Sequence, residues 1–331
     1  RIGIDAKWFR VGPPSGRVVV RALVRELLAM DSGHEWVVFV DHEAAADFPH
    51  ARRGVRVVPV WAGNNLVSNL ISLPRAARRE GVDVLLSQNF VAPWGARRRT
   101  GLVYDVIFAS HPEYYTWKER LYFWPLRALS RRADRLCTIS TAERDRMIRL
   151  GYGRPERIDV APLGVDAVFR PVEEHPADAV ADMRSRLGLP SEFVLFVGRL
   201  NSRKNVSGLV RALALREGPR LPCVVVGESD WKDDDPRTLA RQLGLEHEVR
   251  FVGGLPLQDL ALIYAMSSTF CFPSFEEGFG LPVLEAMASG VPVVASAIPA
   301  LEEVCGDDAI FCDPADPRSI ARALDAVAGD A

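Results

Sequence analysis

Pro273-Ser274-Phe275-Glu276-Glu277-Gly278-Phe279-Gly280-Leu281-Pro282-Val283-Leu284-Glu285-Ala286-Met287-Ala288-Ser289-Gly290 is the stretch on which the reading of this 331-residue chain turns. Its pattern predicts a strand end, a glycine-rich loop and a short helix over about Leu281 to Ser289. Pro282 has no N–H to leave unpaired at the start of a helix, and Gly290 can take the left-handed cap after the last turn. Leu281, Leu284 and Ala288 give the helix a buried side. Gly278 and Gly280 let the backbone come close to a ligand, and the first N–H groups of a helix are unpaired and partly positive. Such a loop is an anion site, best suited to phosphate. Glu277 and Glu285 would repel a phosphate, so they are expected to accept hydrogen bonds from hydroxyls beside it. A polyol attached to phosphate meets both demands.

The run Glu277 to Glu285 resembles the Glu-x7-Glu motif of the retaining family 4 glycosyltransferases. The likeness extends through the glycines, the proline and the run Ala286-Met287-Ala288-Ser289-Gly290-Val291-Pro292-Val293-Val294-Ala295. The resemblance implies an α/β chain of GT-B architecture: two Rossmann-like, doubly wound parallel-sheet domains facing across a cleft. On that frame residues 1–165 are the acceptor-side domain, 166–190 a linker and 191–331 the nucleotide-sugar-binding domain. The likeness covers nearly the whole chain, strongly over residues 190–328 and more loosely before.

Composition agrees with two sizeable cores: 48% of residues are apolar and 25% charged. Five cysteines, Cys137, Cys223, Cys271, Cys305 and Cys312, are odd in number, widely spaced and mostly inside apolar runs. They read as reduced, buried thiols of a cytoplasmic protein. No apolar run reaches the length of a bilayer span and no signal-peptide pattern is present, although the chain starts inside a strand pattern and a few residues are expected to be missing. The net charge of −2 conceals an asymmetry: residues 1–170 hold 27 Lys and Arg against 18 Asp and Glu, and residues 171–331 hold 14 against 25. A basic first domain suits an anionic acceptor or the inner face of a membrane, or is simply solvated. Nucleic acid is not expected, since no zinc finger, helix-turn-helix or aromatic RNA-binding signature is present.

Short apolar strands alternate with helical patterns from the start, as in a doubly wound sheet. Arg1 to Ala6 reads as a strand, Gly12 to Gly16 as a loop and Val18 to Met30 as a helix. The resemblance places Gly16 beside the donor phosphate and acceptor, while a plain tight turn suits Gly12 equally well. Gly101 to Tyr104 reads as a strand, followed by Tyr104-Asp105 where many relatives have His-Asp near the transferring sugar. Tyrosine orients a hydroxyl rather than accepting a proton at neutral pH. His111 reads as structural. From His111 to Arg132 the aromatic residues Tyr114, Tyr115, Trp117, Tyr122, Phe123 and Trp124 are interleaved with Lys118, Arg120, Arg127, Arg131 and Arg132. A helix of this kind can dock on a headgroup interface, line an acceptor groove, or pack its aromatic side into the sheet. Arg97-Arg98-Arg99 reads as a solvated turn, and Ser140 with Glu143 as a capping box.

The second domain opens with the strand Phe193 to Gly198, followed by Arg199, Lys204 and a helix from about Asn205. Both cations fall in the loop at the strand's carboxyl end, where they would make charge-assisted contacts to a diphosphate. In the resemblance, Gly198-Arg199 and Lys204 match the diphosphate-binding Gly-Arg and Lys, and the backbone of Gly278, Phe279, Gly280 and Leu281 faces the phosphates. Glu285 holds the ribose hydroxyls, Glu277 those of the sugar, and backbone near Gly227 and Val252 holds the base. Asp233-Asp234-Asp235 contains an Asp-x-Asp pattern but reads as a solvated loop, and no metal or other cofactor is expected. The resemblance implies transfer of a hexose from a nucleotide diphosphate sugar, the co-substrate, to a glycan or lipid-linked glycan with retained anomeric configuration. Arg199, Lys204 and Glu277 are the catalytic candidates. The alternative is a non-catalytic nucleotide-sugar-binding scaffold, motivated by Tyr104 and the Gly12 loop.

Overall fold

The computed structural model describes residues 1–30, 32–49, 54–218, 221–228 and 235–329. They form two compact units, Arg1–Leu163 and Gly164–Ala331. Each is built on one parallel sheet. The first contains β1 (Ile2–Asp5), β2 (Trp36–Val40), β3 (Val55–Pro59), β4 (Val84–Gln88), β5 (Arg98–Leu102), β6 (Arg135–Thr138) and β7 (Ile158–Val160), in the order β3-β2-β1-β4-β5-β6-β7. The second contains β8 (Val194–Val197), β9 (Cys223–Val226), β10 (Val249–Gly253), β11 (Thr269–Phe272), β12 (Val293–Ser296) and β13 (Ile310–Cys312), ordered β10-β9-β8-β11-β12-β13. The fold is GT-B, two Rossmann-like sheets with helical crossovers.

Strands such as β2, β8, β9 and β11 are buried at every residue. Strands covered on both faces read as unbroken apolar runs, which is why these were plain in the sequence. In both sheets the chain winds outward from a central strand, then returns to its other side and winds the opposite way. Ile2 of β1 is flanked by Trp36 and Val84, and Val194 of β8 by Cys223 and Thr269. At such a reversal the loops leaving the two central strands diverge and open a crevice at the carboxyl edge.

Four expectations need correction. The stretch 166–190 is not a linker: Phe169, Met183 and Leu189 are buried in the second core, and the helix Ala177–Leu187 closes on the left-handed Gly188. Its Arg186 reaches Asp259 at 2.9 Å, so the segment is tied into the second unit. The first helix spans Pro14–Ala29, four residues earlier than Val18, because proline is well tolerated in a first turn. Gly16 therefore sits in helix, not in a loop. Arg98 and Arg99 belong to β5 rather than to a solvated turn: Arg98 pairs with Asp134 at 3.0 Å and the Arg99 N–H donates to the same carboxylate at 2.9 Å.

The stretch from 111 to 132 is broken, not one helix. It forms a 3₁₀ turn (Pro112–Tyr114) and helices Trp117–Phe123 and Leu126–Ser130, parted at Pro125. A complete capping box forms here, unread in the sequence: the Glu119 N–H donates to Thr116 Oγ1 at 3.3 Å, and the Thr116 N–H to Glu119 Oε2 at 2.7 Å. Ser140 does cap the helix Thr141–Arg149 through the Glu143 N–H at 3.0 Å. The Glu143 carboxylate, however, accepts from the Val106 N–H at 2.6 Å and pairs with Arg146. All five thiols are free, four of them buried. Among the described residues no helix is long and apolar enough to cross a membrane.

Candidate active site

The reversal of the second sheet lies between β8 and β11. The loop after β8 carries Gly198 and an exposed Arg199, then a 3₁₀ turn, Ser202–Lys204, in which Asn201 Oδ1 accepts from the Lys204 N–H at 3.2 Å. Asn205 follows in the left-handed region at φ +55°, a conformation asparagine tolerates better than most residues. Its side chain accepts from the Gly208 N–H at 3.2 Å and donates to the carbonyls of Pro273 and Pro314, at 3.0 and 2.8 Å. A Cβ at Gly208 would lie 2.3 Å from Asn205 Oδ1. Asn205 thus pins the β8 loop to the β11 loop, a role unread in the sequence because it depends on partners 68 and 109 residues away.

This pinning brings two cations onto one carboxylate. Lys204 Nζ lies 2.6 Å from Glu277 Oε1, and the Arg203 guanidinium 2.9 Å from Oε2. Arg203 also donates to the Glu276 carbonyl, and its own carbonyl accepts from the Phe275 N–H at 2.9 Å. Lys204 Nζ sits 4.5 Å from the centre of the Phe272 ring. Burial alone would push the Glu277 carboxyl up, but Arg203 and Lys204 outweigh it and hold the group at about 2. Glu277 is therefore ionised and engaged by side chains of its own protein, contacts that the sequence reading did not anticipate. Arg203 was missed, although two adjacent cations opening a turn at a strand end were a readable signal.

Beyond Glu277 the loop is buried through Gly278, Phe279 and Gly280. Gly280 has φ +118°, and a Cβ there would meet Leu301 Cδ2 at 2.5 Å, so both backbone and space require glycine. Gly280 is the N-cap of the helix Leu281–Ala288. The N–H groups of Gly280 and Leu281 meet no acceptor among the described residues, and Pro282 has none to offer. One turn further on, Glu285 is half-buried, and burial pushes its carboxyl up to about 7, opposed by the Tyr264 hydroxyl beside it. Tyr264 is fully buried and its hydroxyl reaches Glu285 without good hydrogen-bond geometry. Burial, then Glu285, pushes the Tyr264 phenol well up, so it stays protonated.

Gly198 and Gly227 follow the last residues of β8 and β9, and Val252 lies at the end of the neighbouring β10. The Gly198 N–H donates to Val226 at 3.0 Å and the Gly227 N–H to Gly253 at 2.9 Å. A Cβ on Gly227 would fall 1.8 Å from the Gly198 carbonyl oxygen. This edge is a continuous backbone shelf beside the Lys204–Glu277 pair. Asp233 and Asp234 lie outside the described residues. Asp235 caps the helix Pro236–Gln242 by accepting from the Arg237 N–H at 3.0 Å.

The reversal of the first sheet, between β1 and β4, gathers Gly16, Tyr104 and Asp105 around residues the sequence reading passed over. A Cβ on Gly12 or Gly16 would strike the Trp8 ring, at 2.6 and 2.8 Å. Trp8 stacks on Tyr104 with 5.9 Å between centroids, and the Tyr104 hydroxyl donates to Gln88 Oε1 at 2.6 Å. Burial and then Asp5 push the Tyr104 phenol far up, so the residue is a donor and never a base here. Beneath it Lys7 Nζ pairs with Asp5 Oδ1 at 2.5 Å and donates to Asn69 Oδ1 at 2.6 Å, while Asp5 Oδ2 accepts from the Gln88 N–H at 3.2 Å. Both charged groups are fully buried. Asp105 Oδ1 accepts from the Ile107 N–H at 3.2 Å, near Glu143, whose carboxyl burial raises to about 8 against the pull of Arg146. His111 pairs with Glu113 at 3.0 Å, away from this cluster.

Known proteins align with both units. A family model described as glycosyl transferase 4-like domain matches residues 16–164, and one described as glycosyl transferases group 1 matches residues 182–330. The Escherichia coli O-antigen chain mannosyltransferase B is 33% identical over 237 residues, covering 70% of this chain and 61% of that protein. The D-inositol 3-phosphate glycosyltransferase of Acidothermus cellulolyticus is 36% identical over 208 residues, 58% of this chain and 45% of its own length. The chain thus spans only about half the length of such curated relatives. Anabaena HepE, solved with UDP-glucose, superposes with a TM-score of 0.76 at 20% identity, covering 99% of this chain and 90% of its own. With a 4-like domain in its first unit and a group 1 domain in its second, the chain belongs to the group 1, 4-like glycosyl transferase family of GT-B fold.

Proposed function

We propose that the chain transfers a hexose from a nucleotide diphosphate sugar to a hydroxyl of a glycan or lipid-linked glycan, with retention of configuration and without a metal ion. The observation that carries this reading is the pair of cations, Arg203 and Lys204, converging on Glu277 beside the unpaired amides of Gly280 and Leu281. A diphosphate set there meets Lys204, Arg199 and the positive end of a helix, with Glu277 locked in place by Arg203. Glu285, ionised above about pH 7, accepts from ribose hydroxyls, and the shelf at Gly227 and Val252 takes the base. No nucleophile is needed: the bond from the anomeric carbon to the β-phosphate oxygen breaks and the acceptor oxygen bonds to the same face. The acceptor's proton passes to the departing phosphate. Cations and helix end stabilise the charge that develops on that phosphate more than they stabilise the bound donor, which is what lowers the barrier.

Tyr104 favours a second reading, a binding module without turnover, since its hydroxyl is committed to Gln88 and cannot accept a proton. One experiment separates the two. UDP-, GDP-, dTDP- and ADP-sugars are offered with a chelator and glycan or lipid-linked glycan acceptors, with mannosyl donors first given the name of the E. coli relative. Transfer from one donor, with the α configuration kept from an α donor, supports the enzyme. Loss of transfer in chelator overturns metal independence. Binding of one nucleotide with no product from any acceptor supports the module.

A further inference from the structure

The helix Trp117–Phe123 carries large apolar side chains both inward and outward. Tyr122 and Phe123 pack inward: Phe123 stacks on Phe108 at 4.8 Å, and Tyr122 meets the Phe90 ring edge-on at 5.2 Å. Trp117, Leu121 and Trp124, at positions i, i+4 and i+7, point outward and are 68%, 63% and 77% exposed. Trp124 keeps helical φ and ψ past the last turn, so the three share one stripe. Large apolar side chains left in water on one stripe mark a contact surface. The sequence left open whether these aromatics pack inward or dock outward, and the structure divides them between the two.

The flanking charge says what the surface meets. Lys118, with its Nζ 5.7 Å from the centre of the Trp117 ring, and exposed Arg120 lie on the same helix as the stripe. The carboxylates of this stretch are drawn into local contacts, Glu113 to His111 and Glu119 to the Thr116 cap. A second copy of the chain docking here face to face would set cations against cations. We infer that this stripe seats the first unit on an anionic lipid bilayer, with Trp117, Leu121 and Trp124 in the headgroup and upper acyl region and the cations on lipid phosphates. The inference extends the proposed function by naming the surface from which a lipid-borne acceptor is reached, and rests on that reading only in this respect.

The test is cosedimentation of the full chain with vesicles of phosphatidylcholine alone or mixed with phosphatidylglycerol. Binding to the mixed vesicles alone, weakened by salt, is expected. The triple variant Trp117→Ser, Leu121→Ser, Trp124→Ser should lose at least about tenfold in vesicle partitioning, and Lys118→Glu with Arg120→Glu a comparable amount. Both variants should keep the wild-type affinity for a nucleoside diphosphate, which separates failure of docking from failure of the transferase reading. No binding of the wild type to mixed vesicles, or undiminished binding of the triple variant, overturns the inference. So does a wild-type dimer in sedimentation equilibrium that the triple variant converts to monomer, since the stripe would then belong to a second copy.

Discussion

The two sheet reversals carry the same ingredients in different proportions. In the first, one lysine faces one carboxylate: Lys7 and Asp5 are 2.5 Å apart, fully buried and further held by Asn69 and Gln88. In the second, two cations face one carboxylate, and the helix beside them offers amides with no acceptor among the described residues. A closed one-to-one pair in a desolvated place is a structural knot, costly to break from either side. A site with more cations than carboxylates at a helix N-terminus is built for an anion that arrives from outside. On the proposed function, topology alone would not mark the donor site; the charge count at the reversal would.

Breaking the first knot should have the largest effect on stability. Lys7→Met leaves Asp5 buried without its counter-charge and is expected to cost about 3–5 kcal/mol in urea denaturation, with much of that recovered in the double variant Lys7→Met, Asp5→Leu. A Lys7→Met protein as stable as wild type would put the two reversals on one footing. Next in size, Lys204→Ala should lower transfer on the order of 10²-fold or more through the lost contact to the leaving phosphate. It should lower stability much less than Lys7→Met, since Glu277 keeps Arg203.

The two glutamates of the motif sharpen the comparison through pH. Glu277 is held at about 2, below the ordinary carboxylate range, so its stabilisation is complete above the unfolded value and is lost as pH falls toward 2. Glu285 is pushed to about 7, so its sign is opposite: the unfolded chain ionises first, and stability declines as pH rises from the ordinary carboxylate range toward 7. Glu285→Gln should remove that decline in a series of melting temperatures against pH, whereas Glu277→Gln should leave it in place. Nucleoside diphosphate affinity should rise through about pH 7 in the wild type and rise less in Glu285→Gln, where only the ligand's own phosphate ionises in that range. The smallest effect is expected at Tyr264, whose buried hydroxyl makes no hydrogen bond of good geometry. Tyr264→Phe should change stability by less than about 1 kcal/mol, and a larger loss would mean that the hydroxyl holds Glu285 firmly.

What could be read from the sequence follows from how local each signal is. Strands buried on both faces announce themselves as apolar runs, and Gly280, Pro282 and Gly290 mark a loop and helix within one short stretch, so the second sheet and its anion loop were legible. The pairing of Glu277 with Arg203 and Lys204 was not, because Lys204 and Glu277 are 73 residues apart and the contact depends on Asn205 pinning two loops. The knot at Lys7 was equally hidden, although an aspartate ending an apolar strand, two residues from a lysine, was a cue. The segment 166–190 read as a linker because its prolines and acidic residues dominate its composition, while Phe169, Met183 and Leu189 fix it to the second core. Between residues 111 and 132, composition could not show which aromatic faced inward.

On the proposed function the second reversal, and not the first, holds the diphosphate. Titration calorimetry with UDP, GDP, dTDP and ADP in the presence of a chelator, on the wild type and on Lys204→Ala, tests it directly. One nucleoside diphosphate is expected to bind the wild type, and Lys204→Ala to bind it at least about tenfold more weakly while keeping its melting temperature within a few degrees. Equal affinity in the two proteins, or no binding of any of the four to the wild type, would contradict it.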